Sequence, residues 1–197
     1  MATQIKDGTG SGNSVKVTST NRMLVDAITE ERAVFNSVVD GKTFIVSTDY
    51  LTVTGTTGVD YGLLYIKNNS DLVMNIHHIK LWSSLSGQFT KVNVYRNPTG
   101  GTLISGANAA QVANLNYGSA ETFEGLAYEG TGGNLTVTGG EILGKHYMGV
   151  GNQQMLSFMW NGALSMPKGS SLAVAIEPPN TVANSVTCEI EAYFEEI

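Results

Sequence analysis

At its C-terminal end the chain alternates strictly. Val186, Cys188, Ile190, Ala192 and Phe194 are apolar, and Thr187, Glu189, Glu191, Tyr193 and Glu195 stand between them. A period of two is the period of a β-strand, whose successive side chains point to opposite faces. The segment therefore has one dry face and one acidic, wet face. A strand with a dry face has to bury it against another layer, which commits the chain to packed sheets. Cys188 falls on the dry face, so it is expected to be a small buried apolar residue rather than a nucleophile.

From about residue 34 onward, further strand signals recur between turn signals. Thr43–Ser47, Tyr61–Lys67, Leu72–Ser83, Phe89–Arg96, Leu135–Thr138, Gln154–Trp160 and Ser171–Ile176 precede the last strand, Val186–Phe194. Asn68-Asn69-Ser70-Asp71 and Asn97-Pro98-Thr99-Gly100-Gly101 are turn clusters, because Asn and Asp tolerate left-handed backbone and cap their own chain. One strand breaks phase. Leu72, Met74 and Ile76 share a face, after which the apolar positions jump to Ile79 and Leu81. A β-bulge at His77-His78 restores the register by adding one residue. Between about 97 and 133 the pattern weakens, and Ala107–Ala113 suits a short helix or a long loop. A stretch of that length without clear strands usually carries contacts or function.

Residues 1–33 differ in character. Gly8-Thr9-Gly10-Ser11-Gly12-Asn13, with Val15-Lys16-Val17-Thr18 and Asn21-Arg22 after it, holds too little apolar material to bury itself. Short extended pieces, Ser14–Thr18 and Met23–Thr29, are suited to pairing with another chain. This segment is read as an extended arm; the alternative is a frayed terminus leading into an ordinary first strand. The opening Met-Ala-Thr-Gln-Ile-Lys-Asp has no apolar stretch, so no secretory signal is expected.

The 197 residues suit one large β domain. Charged residues make up 14% of the chain, against about 25% in typical soluble domains, and Thr, Ser, Asn and Gly take their place. The net charge of −6, with no two Lys or Arg adjacent, excludes the basic footprint that nucleic acid requires. The longest apolar runs, such as Leu172–Ile176, fall far short of the ~20 residues of a spanning helix, so no membrane association is expected. A single cysteine cannot form an intrachain disulfide, which fits folding in a reducing cytosol.

The patterns that suggest chemistry do not assemble into it. Gly8–Gly12 resembles a phosphate loop but lacks the buried strand before it, the helix after it and the Lys-Ser/Thr that holds nucleotide. His77, His78 and His146 are conceivable metal ligands, yet adjacent strand residues face opposite ways and no carboxylate stands at ligand spacing. Glu189 and Glu191 lie on one face of one strand, roughly 7 Å apart, with Glu195 and Glu196 beyond. That is a solvated acidic face rather than the two carboxylates across a cleft that glycoside hydrolysis needs. There is no Asp-x-Asp-x-Asn-Gly calcium loop and no Gly-x-Ser-x-Gly elbow. Asn68-Asn69-Ser70 and Asn134-Leu135-Thr136 match glycosylation sequons, without other signs of secretion. Trp82, Trp160, Tyr61, Tyr65, Tyr95 and Tyr117 are candidates for a sugar platform, although such residues more often fill a sandwich core. No catalytic, cofactor-binding or metal-binding residue is assigned, and the chain is not expected to be an enzyme.

The N-terminal run Ile5-Lys6-Asp7-Gly8-Thr9-Gly10-Ser11-Gly12-Asn13, with Val15-Lys16-Val17 and Asn21-Arg22-Met23-Leu24-Val25, resembles the opening of small virion proteins of tailed bacteriophages. Met166-Pro167-Lys168-Gly169-Ser170-Ser171-Leu172-Ala173-Val174 and Glu177-Pro178-Pro179-Asn180 are similar to their closing hairpin. The resemblance covers about a third of the chain, at its two ends, and points to the jelly-roll decoration, or cement, proteins of phage heads. It implies an all-β, antiparallel jelly-roll-like β-sandwich over residues 34–197 with an extended N-terminal arm over 1–33. It further implies no cofactor, a homotrimer, and the major capsid protein as partner on the capsid exterior of a virion, after synthesis in the host cytoplasm. The alternative is a receptor- or glycan-binding module of a tail fibre or neck whisker, with the aromatics and the 97–133 stretch as its site.

Overall fold

The computed structural model describes residues 5–6, 14–15, 37–56, 58–84, 90–105, 107–131, 134–148, 154–178 and 183–195. Met23–Thr29, the Gly8–Gly12 run and Glu196 lie outside the described residues. The strands are β1 (Ile5–Lys6), β2 (Ser14–Val15), β3 (Thr43–Ser47), β4 (Leu51–Val53), β5 (Tyr61–Asn68), β6 (Val73–Ser83) and β7 (Thr90–Arg96). They continue as β8 (Asn108–Ala109), β9 (Gln111–Asn114), β10 (Gly125–Glu129), β11 (Glu141–Met148), β12 (Gln154–Met166), β13 (Ser171–Glu177) and β14 (Asn184–Glu195). Helix is confined, among the described residues, to a turn at 37–39.

One sheet has the order β11-β7-β13-β5-β10-β8 and the other β12-β6-β14-β3-β9, with β4 also on β14. Setting aside β4 and β8–β10, the antiparallel ladders are nested: β3 with β14, β5 with β13, β6 with β12 and β7 with β11. First pairs with last, second with second last, and so inward. That nesting is the jelly roll, two Greek keys folded into a double sheet. The chain is therefore an all-β jelly-roll sandwich, as its sequence leads one to expect.

The dry faces meet between the sheets. Val186, Cys188, Ile190, Ala192 and Phe194 are all buried, against Leu64, Ile66, Val92, Val94, Leu172, Val174 and Ile176 of the other sheet. Phe44, Phe123 and Phe194 meet edge-on at centroid distances of 5.7 to 5.9 Å within this core. Tyr193, expected on the wet face, is buried. It shares a cross-strand row with Asn75 and Thr43, buried too, so that face is interrupted there, between the partly exposed Thr187–Glu191 and the exposed Glu195.

The phase slip in β6 is a bulge at the expected place. Against β14, His78 faces Glu191 and Ile76 faces the very next residue, Ala192, so His77 is the extra one. Met74, Ile76, Ile79 and Leu81 consequently all point inward and are buried. Against β12, residues 160–163 are accommodated at the same level, between the pairs Met159–His78 and Leu164–Ile76.

The 97–140 excursion corrects two expectations. Ala107–Ala113 is neither helix nor long loop: it holds β8 and β9, which extend the two sheets beside β10 and β3. Their residues are small, polar and largely exposed, so backbone pairing rather than an apolar pattern makes them strands. Leu135–Thr138 is no full strand but two isolated bridges, Tyr61 to Thr136 and Gly100 to Thr138. Gly101 makes this approach possible. Its φ is +110°, and a Cβ there would lie 2.2 Å from the Thr136 carbonyl oxygen.

This excursion lays Leu103, Ile104, Leu135 and Val137 over Tyr65, Tyr95, Ala173 and Ala175, building a second apolar cluster on the outer side of the β11-β7-β13-β5 sheet. Strands β5 and β13 are thus covered on both faces, which explains why Leu172–Ile176 is apolar without alternation. At the β5–β6 crossover the buried Asn68 donates to the carbonyls of Leu72 and Met166, both at 2.8 Å, and accepts from the Ser70 amide at 2.9 Å.

Candidate functional site

One side of the sandwich is closed by its own chain, and the other carries a cleft. Beneath the excursion, Asp60 accepts from Asn93 Nδ2 at 2.8 Å and from the Tyr95 hydroxyl. Burial, and then Asp60, push the Tyr95 hydroxyl pKa upward. Tyr61 and Tyr65 are buried as well, so three of the aromatics suited to a platform are packing residues.

On the outer face of the β12-β6-β14-β3-β9 sheet, two cross-strand rows lie side by side. One row is Met155, Trp82 and Thr187, from β12, β6 and β14. The next is Lys80, Glu189, Ser47 and Gln111, from β6, β14, β3 and β9. Residues two apart on a strand share a face at roughly 7 Å, so the rows form adjacent strips, one led by Trp and Met and the other polar. With the Asp49-Tyr50 connection as a rim they enclose a cleft of about 410 Å³.

The polar strip is held in pairs. Lys80 Nζ donates to Glu189 Oε1 at 2.8 Å, and Gln111 Nε2 donates to Asp49 Oδ1 at 2.8 Å. The rim is fixed from below. The buried Glu129 accepts the Asp49 amide at 2.6 Å and the Thr131 hydroxyl. Thr48 exchanges hydrogen bonds with the Cys188 backbone, each at 3.0 Å. Tyr50 is 85% exposed at the lip, and Met155 and Met159 are 71% and 64% exposed along β12. Cys188 lies beneath, buried, with its thiol pKa raised by that burial.

The residues weighed for chemistry are dispersed. His78 bonds Ser157 on the outer face, while the His77 ring lies 6.5 Å from that of His78. His146, on β11, packs its ring tilted at 55° and 4.1 Å from that of Phe158 at the seam between the sheets. Among the described residues no group of three or more His, Cys, Asp or Glu is placed to hold a metal ion. Glu189 is paired with Lys80, and Glu195 accepts from Asn75 at 3.3 Å. Asn68 is fully buried, Asn134 is exposed and Tyr117 is exposed. Of the six aromatics weighed for a platform, Trp82 alone lines the cleft; from the 97–133 stretch, Gln111 does. Asp49, Tyr50, Lys80 and Met155 carry no sequence signal of a site, since they come from separate strands and a short connection.

No protein-family model matches the chain, and no curated protein matches it. Among solved structures it is similar to the VP2 subviral particle of infectious bursal disease virus, at 7% identity and a TM-score of 0.21, over 78% of this chain and 42% of that one. Two structures of VP2-derived T=1 particles of that virus, one of a mutant, give 12% and 10% identity and TM-scores of 0.18 and 0.19, each over 79% of this chain and 40% of theirs. The chain spans about two fifths of the length of these VP2 chains. TM-scores of this size carry no weight for fold or function, and the jelly roll rests on the strand pairing alone.

Proposed function

We propose that the chain is a virion structural protein that decorates and stabilises a tailed-phage capsid from outside, residues 1–33 forming the arm that contacts the shell or neighbouring copies. The observation that carries this reading is the closed double sheet that the described residues from 37 onward form. Among the described residues, both apolar clusters draw on Phe44 to Phe194, and β1 pairs with β2 in a small sheet of its own. By composition, the Gly-rich opening holds too little apolar material to bury itself. Ordering such a segment on a partner adds contact area after docking. The partner is the major capsid protein, and the assembly is a homotrimer, whose linked contacts convert a weak single grip into a long-lived one.

Cosedimentation with empty heads of the phage that encodes the chain tests this. The full chain is expected to pellet with the heads. A chain comprising residues 34–197 is expected to stay folded by circular dichroism and to remain in the supernatant. Pelleting of the truncated chain would overturn the role of the arm. The open cleft favours a second reading, a receptor-binding module of a tail fibre or neck whisker.

A further inference from the structure

We infer that the cleft between β6, β14 and β9 is a binding site for a neutral pyranose sugar, with Trp82 as its apolar floor and Asp49, Gln111, Lys80 and Glu189 as its hydroxyl-reading groups. This holds whether the chain sits on a head or on a tail, because it depends only on groups within the cleft.

A pyranose has an apolar ring surface and a rim of hydroxyls, each of which donates one hydrogen bond and accepts others. The cleft offers the complement of both. Its first strip sets the half-buried Trp82 beside Met155, an apolar surface against which a ring can pack. Its second strip and rim hold a carboxylate next to an amide, and a carboxylate next to an ammonium, each pair at 2.8 Å. In each pair an acceptor-only group stands beside a donor, which is what two neighbouring hydroxyls require. Glu129 holds the Asp49 amide, and Thr48 bonds the Cys188 backbone, so the Asp49 side of the rim is positioned in advance of binding.

Charge selects the class of sugar. Lys80 is matched by Glu189, and Asp49 is left as the excess charge, so the cleft is slightly acidic and disfavours phosphorylated, sulfated or sialylated ligands. Size limits it to a mono- or disaccharide. A volume of about 410 Å³ is at the small end of ligand pockets, which run on the order of 300–1,000 Å³. Single-site affinity in an open cleft is weak. Many copies on one particle raise it by avidity.

Saturation-transfer-difference NMR on the full chain tests the inference, with the methyl glycosides of glucose, galactose, mannose, N-acetylglucosamine and rhamnose as neutral probes and sialyllactose and glucose phosphate as anionic ones. At least one neutral glycoside is expected to receive saturation at millimolar concentration. Its affinity is expected to fall by at least about tenfold in Trp82→Ala and, should that variant fold poorly, in Asp49→Asn and Gln111→Ala, both at exposed positions. Tyr117→Ala, an exposed aromatic outside the cleft, is expected to bind as the parent does. No transfer to any neutral glycoside, transfer to the anionic probes alone, or undiminished binding in the Asp49 and Gln111 variants would each overturn the assignment. Failure to bind heads leaves these readouts untouched, so the two proposals fail separately.

Discussion

His146 illustrates how one side chain ties sequence to solution behaviour. It shares the inward face of β11 with Gly144, and a Cβ at Gly144 would lie 2.6 Å from its Nε2, so the glycine makes room for the ring. Burial holds its pKa below the ordinary histidine value, and burial followed by the charge of Lys80 does the same to His78. Just below about pH 6.5 the unfolded chain therefore binds more protons than the folded one. Stability is full above that pH and declines as pH falls through it. His146→Phe keeps a flat ring against Phe158 and removes the titration. Its melting temperature is expected to fall less than the parent's between about pH 7 and about pH 5, as read by differential scanning calorimetry. Equal declines would contradict a buried, neutral His146. In the sequence this residue was visible only as a third metal candidate, because nothing local reveals that Phe158 lies across the seam.

At the level of elements, the bulge in β6 absorbs a break in the apolar phase. As the one extra residue, bulged out of the ladder, His77 is accommodated while both halves of an 11-residue strand face inward. Deleting it leaves Met74, Ile76, Ile79 and Leu81 in strict alternation on one face of a regular strand, so none of them is turned outward. The deletion is therefore expected to be tolerated, costing at most about 1–2 kcal/mol for local re-pairing out of the roughly 5–15 that a domain possesses. His77→Ala keeps the residue count and is expected to cost at most about 1 kcal/mol. The imidazole Nδ1 is buried without a hydrogen-bond partner, so its loss removes no bond at that atom. Guanidinium unfolding midpoints compare both variants with the parent, and loss of the folded state on deletion of His77 would refute the register argument. The bulge was legible because an apolar phase change is a sequence property. The strands β8, β9 and β10 were not, because they are held by backbone pairing, β9 to β3, β10 to β5 and β8 to β10, and bury little of their own.

For the whole molecule, alternation and turn chemistry fix the sandwich, whereas strand order lies beyond them. Jelly-roll nesting emerges from which strands pair, and pairing is a long-range matter: Thr43 faces Tyr193, and Tyr61 faces Ile176. The cleft was illegible for the same reason. Asp49, Lys80, Gln111 and Glu189 are neighbours only after β3, β6, β9 and β14 have assembled. What the sequence does carry at this scale is the contrast between a Gly-rich opening and an apolar, strand-forming remainder, together with an acidic surface of low charge density. That contrast underlies the central claim, a stiff sandwich with an arm that fastens it to a shell. The most direct test is a cryo-electron microscopy difference map between heads with and without the bound protein. The account predicts trimeric density of three 20.9 kDa chains on the outside of the shell, each sandwich linked to the shell or its neighbour by an extended segment leading from residue 34. Density confined to a tail or neck, or no added density on the shell, would contradict it.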